Sequence, residues 1–200
     1  MNWDYENKYF AQGYSVVCGT DEAGRGPLAG PVFAAAVILP ENCEIEGLND
    51  SKKLSEKKRE ALYDEIIEKA LAYGIAYGSL EEIETLNILE ATYLAMNRAV
   101  EALSIKPDFC LIDGNRTPKG LEIPCATVVK GDAKSSSIAA ASILAKVTRD
   151  RLLLEYDEKY PEYQFAKHKG YGTKLHYEMI AEHGICDEHR RTFLKKILGE

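Results

Sequence analysis

Runs of apolar residues separated by short polar turns predict five buried β-strands along the chain. The first two, at residues 14–20 and 31–39, are nearly continuous apolar sequence joined by a glycine-rich turn. Because that turn is too short for a helical crossover, we expect these two strands to pair antiparallel. Further strands are predicted at residues 74–80, 108–112 and 125–129.

Helical periodicity predicts three helices in the segments between and after these strands. Ser55 is a candidate N-cap for a helix that continues to about residue 70. Apolar residues recur at steps of three and four over residues 86–103, which predicts one long amphipathic helix. A third helix is predicted over residues 135–156, and its apolar first half is expected to be buried.

This order of elements predicts an α/β fold with a mixed five-stranded sheet, helices packed on its faces and a helical C-terminal segment from about residue 157. The length of 200 residues and the hydrophobic content of 46% suit one domain that spans residues 1–200. The sequence shows no internal repeat and no linker rich in Pro, Gly or Ser.

Composition predicts where in the cell the protein lies and the state of its cysteines. The chain has no run of about 18 apolar residues and no basic-then-apolar start, so we expect a cytoplasmic protein without membrane attachment. Its five widely spaced cysteines form no C-x-x-C pair and are expected to be reduced thiols, with Cys18 and Cys110 in the core. An acidic chain without an evident apolar patch also favours a monomer.

The net charge of −7 argues against a protein that grips nucleic acid through a general positive field. Any contact with a polyanion must therefore be local. A cluster of carboxylates that binds cations would carry part of this negative charge and lose it when metal binds.

Four acids follow three of the predicted strand ends, namely the pair Asp21 and Glu22, then Asp113, then Asp132. Neighbouring strand ends of an open α/β sheet bring distant positions together. Two divalent ions about 3.5–4 Å apart can activate a water and stabilise a leaving oxygen, and oxygen ligands suit magnesium or manganese. The spacing alone favours the alternative that these are ordinary turn acids.

The turn Gly24-Arg25-Gly26 follows the first acid pair. Glycines let backbone amides approach a ligand closely, and arginine pairs with phosphate. The turn is not a nucleotide P-loop, because no lysine followed by a hydroxyl residue comes after the second glycine. A hairpin turn without a ligand is the open alternative.

Two segments are basic. Residues 167–174 interleave lysines with Tyr171, so this loop could hold phosphates while the ring packs on a sugar or base, although a solvated basic loop has the same pattern. Residues 49–53, with Lys52 and Lys53, are expected to form an exposed basic loop. The four histidines lack H-E-x-x-H spacing and are expected to be mostly surface residues rather than ligands: His168, His176, His183 and His189.

Taken together, these segments closely resemble the ribonuclease HII family, the type 2 ribonucleases H. The resemblance runs in family order from about residue 14 to 192. It rests on GTDEAGRGPLAGPV (19–32), DSKKL (50–54), IDGN (112–115), KGDAK (130–134), AASILAKVTRD (140–150) and KGYGT (169–173).

The resemblance implies a ribonuclease H-like fold and a site for two ions, Mn²⁺ or Mg²⁺, held by the four acids Asp21, Glu22, Asp113 and Asp132. It also implies that Gly24, Arg25 and Gly26 recognise the ribose 2′-hydroxyl beside the scissile phosphate, while Tyr171 packs on the following deoxyribose. The lysines implied as candidates for phosphate contacts are Lys52, Lys53, Lys169 and Lys146. Because Lys146 belongs to the helix that is expected to be buried, the alternative that it supports the acids from behind stays open.

The implied reaction is hydrolysis of the RNA strand of RNA–DNA hybrids, and cleavage 5′ of single ribonucleotides in duplex DNA, leaving 3′-hydroxyl and 5′-phosphate ends. Arg25 and the short N-terminus resemble type 2 rather than type 3 enzymes, whereas residues 194–197 depart from the usual small-residue and proline continuation. Two alternatives stay open: another nuclease of the same fold that ignores the 2′-hydroxyl, and a non-catalytic hybrid-binding protein.

Overall fold

A mixed five-stranded sheet forms the centre of the computed structural model, which describes residues 3–199. The strands are β1 (Val17–Ala23), β2 (Val32–Ile38), β3 (Ala72–Gly78), β4 (Phe109–Asp113) and β5 (Cys125–Val128). Their order across the sheet is β3-β2-β1-β4-β5. The β1–β2 and β2–β3 pairs are antiparallel, while β1–β4 and β4–β5 are parallel, so the predicted mixed sheet and its antiparallel first pair are confirmed.

Eight α-helices and three short 3₁₀ helices surround the sheet within the described residues. The α-helices are α1 (Asp4–Phe10), α2 (Glu56–Lys69), α3 (Leu80–Leu86), α4 (Ile88–Glu101), α5 (Ser136–Lys159), α6 (Phe165–His168), α7 (Lys174–His183) and α8 (Arg191–Leu198). The 3₁₀ helices are Ser51–Lys53, Gly131–Ala133 and Pro161–Tyr163. The C-terminal segment is therefore helical, as predicted, but α1 was not predicted.

The two faces of the sheet are covered by different helices. Along β2, Ala35 and Val37 pack against α2 and α5, while Ala34 and Ala36 pack with α4 on the opposite face. This alternation follows from the two-residue period of a strand. Because β2 is buried on both faces, it has the continuous apolar sequence that predicted it.

The N-terminal end of α5 packs directly against β1. A Cβ atom at Gly19 would overlap the backbone of Ser137 and Ile138, so only glycine permits this approach. Ser135 caps the helix by accepting a hydrogen bond from Ile138 N at 3.2 Å. The first half of α5 is buried, as predicted, and it backs the strand that carries Asp21.

The helix that anchors α5 from outside is α1. The Glu6 side chain is 1% exposed, and its Oε1 accepts hydrogen bonds from Ser135 Oγ (2.6 Å), Ser137 Oγ (2.7 Å) and Ser137 N (2.9 Å). A carboxylate at a helix N-terminus is favoured by the unpaired N–H groups there. Glu6 thus fastens the start of α5 to α1.

The prediction of one helix over residues 86–103 is wrong, because the helix is interrupted at Asn87. This residue has a φ of 83° and its side chain accepts hydrogen bonds from Leu89 N and Glu90 N, which starts α4. Leu86 therefore belongs to α3 and is 43% exposed. The third strand also ends earlier than predicted, at Gly78, because Ser79 and Glu82 form a capping box that starts α3.

The cysteine prediction is confirmed for the described residues. All five thiols are free, and Cys18 and Cys110 are fully buried. Over residues 3–199, no helix combines the length and the hydropathy that a membrane span requires.

Candidate active site

Three of the four predicted acids meet where β1 and β4 lie side by side. Asp21 and Glu22 lie within β1, and Asp113 is the last residue of β4. The parallel register pairs Thr20 with Ile112, so the next residues of the two strands, Asp21 and Asp113, are neighbours. The first two acids therefore lie inside a strand, not past the predicted strand end at residue 20, because β1 extends to residue 23.

The pKa of Asp21 is strongly shifted by its surroundings. Asp21 is 4% exposed, and burial together with the charges of Glu22 and Asp113 raises its pKa well above the ordinary value. A hydrogen bond from Glu22 N to Asp21 Oδ1 (2.7 Å) and the positive charge of Lys52 act in the opposite direction. Clustered carboxylates of this kind are stabilised when a cation binds between them.

The fourth acid joins the cluster through the loop after β5. Gly131 N donates to Asp113 Oδ1 at 2.6 Å, which holds this loop against the end of β4. Asp132 is 6% exposed, and burial together with the charges of Asp113 and Asp50 raises its pKa. Asp132 therefore belongs to the same electrostatic cluster, although it lies 19 residues after Asp113 in the chain.

The four side chains offer only carboxylate oxygens, the donor type that magnesium and manganese prefer. Within residues 3–199, no three His, Cys, Asp or Glu side chains already converge in ligating positions. Binding an ion here would therefore require these carboxylates to turn toward it. The donor set and the mutual repulsion of the acids fit divalent metal.

Two adjoining clefts are lined in part by the acids. One, of about 480 Å³, is lined on its polar side by Asp21, Glu22, Arg25, Lys52, Lys146 and Tyr171, together with Gly24 and Gly26. The other, of about 400 Å³, includes Asp113 and shares Glu22 and Arg25 with the first. The structure thus brings three of the predicted acids, the glycine turn and Tyr171 to two clefts that share Glu22 and Arg25, whereas Asp132 lines neither cleft.

The glycine turn has two different surroundings. Gly24 has a φ of +97°, and a Cβ there would overlap the side chain of Arg149, whereas a Cβ at Gly26 would meet no atom within 4 Å. Between them, the Arg25 side chain is 49% exposed, and its Nη1 lies 3.3 Å from Glu22 Oε1. The turn therefore presents an exposed guanidinium and an open backbone position to the cleft.

Two buried arginines that the sequence did not single out hold this turn in place. Arg190 donates hydrogen bonds to the carbonyl oxygens of Gly24 (2.6 Å), Arg25 (3.0 Å) and Gly30 (2.8 Å). Both Arg190 and Arg149 are fully buried, and burial lowers the pKa of each, that of Arg190 to about 9.

Arg149 links the glycine turn to the loop of Tyr171. Its guanidinium donates to Ala29 O and to Lys169 O, both at 3.0 Å, and lies 5.7 Å from the centre of the Tyr171 ring. The backbone adds a bond from Leu28 N to Gly170 O (2.8 Å). The two predicted recognition segments are therefore fixed relative to one another.

The predicted lysines differ in what their ammonium groups contact. Lys52 is largely exposed beside the acids, with Nζ 3.9 Å from Asp132 Oδ2. Burial lowers its pKa, but the charges of the neighbouring acids together outweigh that effect and raise the pKa overall; these acids are Asp21, Asp132, Asp50 and Asp113. Lys53 pairs with Asp50, whereas Lys169 Nζ donates to Ala166 O (2.9 Å) in a side chain that is only 14% exposed.

Lys146 supports the cleft from α5. Its Nζ donates to Asp150 Oδ1 at 2.7 Å and lies 5.6 Å from the centre of the Tyr171 ring, which is 41% exposed. A cation over the ring face is attracted by the ring quadrupole. The cation thus helps to hold a partly exposed aromatic face at the edge of the cleft.

The expectation that the histidines are mostly surface residues is wrong. His168, His176 and His189 are 6%, 0% and 4% exposed, and only His183 lies at the surface. The three buried rings pack under the loop of Tyr171, so this segment is not simply a solvated basic loop. A polar residue buried by distant segments leaves no periodic signal in the sequence, which is why the pattern did not reveal them.

Known structures share this architecture. The ribonuclease H2 from Pyrococcus horikoshii OT3 superposes with a TM-score of 0.73 at 31% identity, covering 89% of this chain and 93% of that one. Bst-RNase HIII in complex with Mn²⁺ has the same fold, with a TM-score of 0.62 at 20% identity over 84% of this chain and 63% of that one. The fold and the acid cluster define a nuclease with a ribonuclease H-like fold.

The sequence comparisons narrow this class to one family. The family described as Ribonuclease HII matches residues 18–196. The Ribonuclease HII of Marinomonas sp. (strain MWYL1) is 63% identical over 185 residues, which cover 92% of this chain and 93% of the relative. The chain belongs to the ribonuclease HII family, a family of nucleases that depend on divalent metal. It is a type 2 ribonuclease H.

Proposed function

We propose that the protein hydrolyses the RNA strand of RNA–DNA hybrids and cuts 5′ of single ribonucleotides embedded in duplex DNA, leaving 3′-hydroxyl and 5′-phosphate ends. The observation that carries this proposal is the shared cleft. Acids suited to metal, a glycine turn with an open backbone position and a partly exposed tyrosine all line it.

In this proposal Asp21, Glu22, Asp113 and Asp132 hold two divalent ions, Mg²⁺ or Mn²⁺. Such ions supply Lewis acidity that activates water and stabilises the leaving oxygen. The protein's part is to keep four carboxylates close together despite their repulsion, and the pKa values of Asp21 and Asp132 are raised first by burial and then by the neighbouring carboxylates. Gly131 N orients Asp113 by its hydrogen bond to Oδ1.

Recognition of the ribonucleotide falls to the glycine turn and to Tyr171. The open space at Gly26 lets a sugar approach the backbone, and the exposed Arg25 guanidinium supplies charge-assisted donors for phosphate. The ring of Tyr171 offers an apolar face to the next sugar, where a 2′-hydroxyl would crowd it. Together these contacts select a ribo-to-deoxyribo junction.

Lysines complete the proposed contacts to the phosphate backbone. Lys52 is best placed, since it is exposed and lines the cleft. Lys53 and Lys169 are proposed as outer contacts, and Lys169 would first have to leave its bond to Ala166 O. Each lost phosphate contact should weaken binding and reduce its dependence on salt.

The experiment that tests the proposal is cleavage of labelled duplex DNA that carries one ribonucleotide, in Mg²⁺ or Mn²⁺, by the wild type and by Asp113→Asn. The asparagine keeps an oxygen to accept from Gly131 N but removes the charge. We expect one cut 5′ of the ribonucleotide, absent with chelator and reduced by at least about 10²-fold in the variant.

The control substrate is the same duplex made entirely of DNA. Cleavage of this control, or of long hybrids only, would show that Gly24, Arg25, Gly26 and Tyr171 do not read the junction. The alternative nuclease that ignores the 2′-hydroxyl would then be correct. Tight binding without any cleavage would instead favour the non-catalytic hybrid-binding protein.

A further inference from the structure

The loop that carries Tyr171 lies on a chain of buried histidine rings. His176 Nδ1 lies 3.0 Å from the carbonyl oxygen of Tyr171, and His176 Nε2 lies 3.0 Å from His189 Nε2. The ring of His168 stacks on that of His176, with centroids 4.1 Å apart and planes 16° from parallel. None of these rings lines the clefts described above, so the proposed reaction does not use them directly.

The hydrogen bonds determine which nitrogen of His176 and His189 carries hydrogen. A carbonyl oxygen only accepts, so His176 Nδ1 must donate to Tyr171 O. Cys186 N donates to His189 Nδ1 at 3.0 Å, so His189 carries its hydrogen on Nε2. His189 Nε2 therefore donates to an unprotonated His176 Nε2, and both rings are neutral.

The same argument fixes His168. Gly170 N donates to His168 Nδ1 at 3.1 Å, so the ring carries its hydrogen on Nε2, which donates to Tyr163 O at 2.8 Å. His168 thereby holds the residue immediately before Tyr171. Every polar nitrogen of the three rings has a partner, and each bond has one direction only.

We propose that His176, supported by His189 and His168, is a positioning residue for Tyr171, and that this chain of neutral rings sets where the tyrosine stands in the cleft. The inference rests on the proposed function, since it assigns the ring chain to the tyrosine that reads the junction. It concerns substrate selectivity rather than the hydrolytic step.

The backbone of the loop shows why such support is needed. Lys169 and Gly170 have φ values of 49° and 80°, both in the left-handed region. A non-glycine residue in that region is strained and persists only where its surroundings hold it. The support comes from both sides, because Arg149 binds Lys169 O while His168 and His176 bind Gly170 and Tyr171.

The hydrogen bonds between these rings form only when His176 and His189 are neutral. A further proton on His176 Nε2 would place two N–H donors face to face with His189. Burial disfavours that proton, together with the neighbouring His168, and lowers the pKa of His176 to about 4. Burial likewise lowers the pKa of His189 to about 4. The arrangement is therefore intact at neutral pH.

The test compares two variants of the same ring. The amide of His176→Asn can still donate to Tyr171 O, while His176→Ala removes the donor. For each, kcat/KM is measured on duplex DNA with one ribonucleotide and on a long RNA–DNA hybrid, and the ratio is the junction selectivity. We expect the alanine to lower this ratio about tenfold, which corresponds to about 1.4 kcal/mol, and the asparagine to restore most of it.

Combination with Tyr171→Ala shows whether His176 acts through the tyrosine. We expect His176→Ala to change nothing further in the Tyr171→Ala background. An equal loss in both backgrounds would overturn the inference while leaving the proposed function intact. If Tyr171→Ala alone leaves the ratio unchanged, junction reading by Tyr171 is wrong, and the inference falls with it.

Two further measurements separate positioning from general loss of structure. Ile66→Ala should leave a cavity where the distant helix α2 packs in the core, and so lower stability without altering the selectivity ratio. Nitrogen NMR of the wild type near pH 7 should show hydrogen on Nδ1 of His176 and on Nε2 of His168 and His189. A doubly protonated ring, or the opposite tautomer at His176, would overturn the inference even if the variants do not fold.

Discussion

Gly24 and Gly26 flank the same arginine, yet a methyl group should affect stability at the first position and substrate binding at the second. At Gly24 it would collide with Arg149 and occupy a φ of +97°, so we expect Gly24→Ala to lower the free energy of unfolding by about 1–3 kcal/mol. At Gly26 it meets open space, so Gly26→Ala should fold normally but obstruct the approach of the ribose.

Thermal unfolding and cleavage of the single-ribonucleotide duplex, measured on both variants, check this prediction. Gly26→Ala should keep the melting temperature of the wild type and raise KM or abolish the cut. Full activity in Gly26→Ala would show that no substrate atom approaches the backbone there, which would contradict the proposed contact.

Asp21 should oppose folding when no metal is bound. Its folded-state pKa is raised by burial, Glu22 and Asp113, so its ionised form destabilises the folded protein at pH values above that pKa. We expect Asp21→Asn to raise the free energy of unfolding by about 1 kcal/mol in chelator, while cleavage is lost. Added Mg²⁺ or Mn²⁺ should then stabilise only the wild type; an unchanged or lower stability of the variant in chelator would contradict this.

At this scale the sequence predicted the residues that face the cleft but not those that hold them. The acids, the glycine turn and Tyr171 have chemistry that their local motif displays. Arg149 and Arg190 act through carbonyl oxygens up to 166 residues away. Such bonds depend on which backbone groups the fold leaves unpaired, and no local pattern encodes them.

Among the elements, α1 and α5 depend on one carboxylate. Removing it in Glu6→Ala leaves two buried hydroxyls and one backbone N–H without their acceptor, so we expect the free energy of unfolding to fall by about 2–3 kcal/mol. Urea unfolding measures this loss. The matched change Glu155→Ala, at an exposed glutamate of α5, should have an effect below about 0.5 kcal/mol. Equal effects of the two changes would show that Glu6 does not fasten α5.

The element boundaries show what local sequence does and does not encode. Ser79 and Glu82 have the spacing of a capping box, so the start of α3 was readable from sequence. The break at Asn87 was not, because the apolar steps of three and four continue across it. Only the positive φ of Asn87, together with its two side-chain bonds to the backbone, ends one helix and starts the next.

For the whole molecule, the buried histidines predict acid sensitivity. The pKa values of His176 and His189 are lowered to about 4, so the unfolded chain binds protons that the folded protein does not as pH falls from about 6.5 to 4. Stability is full above that window and should fall within it by up to about 2.7 kcal/mol per pH unit for two groups. Asp157 and Glu188 attract the protonated rings of His168 and His189 and partly oppose the effect.

Comparison of the wild type with His176→Asn isolates this contribution from that of the acids. The difference in free energy of unfolding between the two proteins should be constant above pH 6.5 and change steadily below it. Only the wild type has the ring of His176, which must stay neutral in the folded protein. Parallel stability curves from pH 7 to pH 4 would show that the ring is not held neutral by the fold.

The sequence predicted the strand order along the chain and the mixed sheet, because burial on one or both faces leaves a readable apolar pattern. It could not show that the C-terminal helical segment returns to brace the site, since that depends on contacts such as the one between Ala29 and His189. One domain, a monomer and a cytoplasmic location stay predictions.

The parallel pairing of β1 with β4 has a consequence for how the protein is made. Val16, the residue before β1, donates its backbone N–H to Asp108, which lies 92 residues later in the chain. Strands β1 to β3 are complete long before β4 leaves the ribosome, and contacts over such separations form late. We therefore expect a growing chain to carry Asp21 and Glu22 without Asp113, so that it cannot cut hybrids until β4 has been synthesised and has paired with β1.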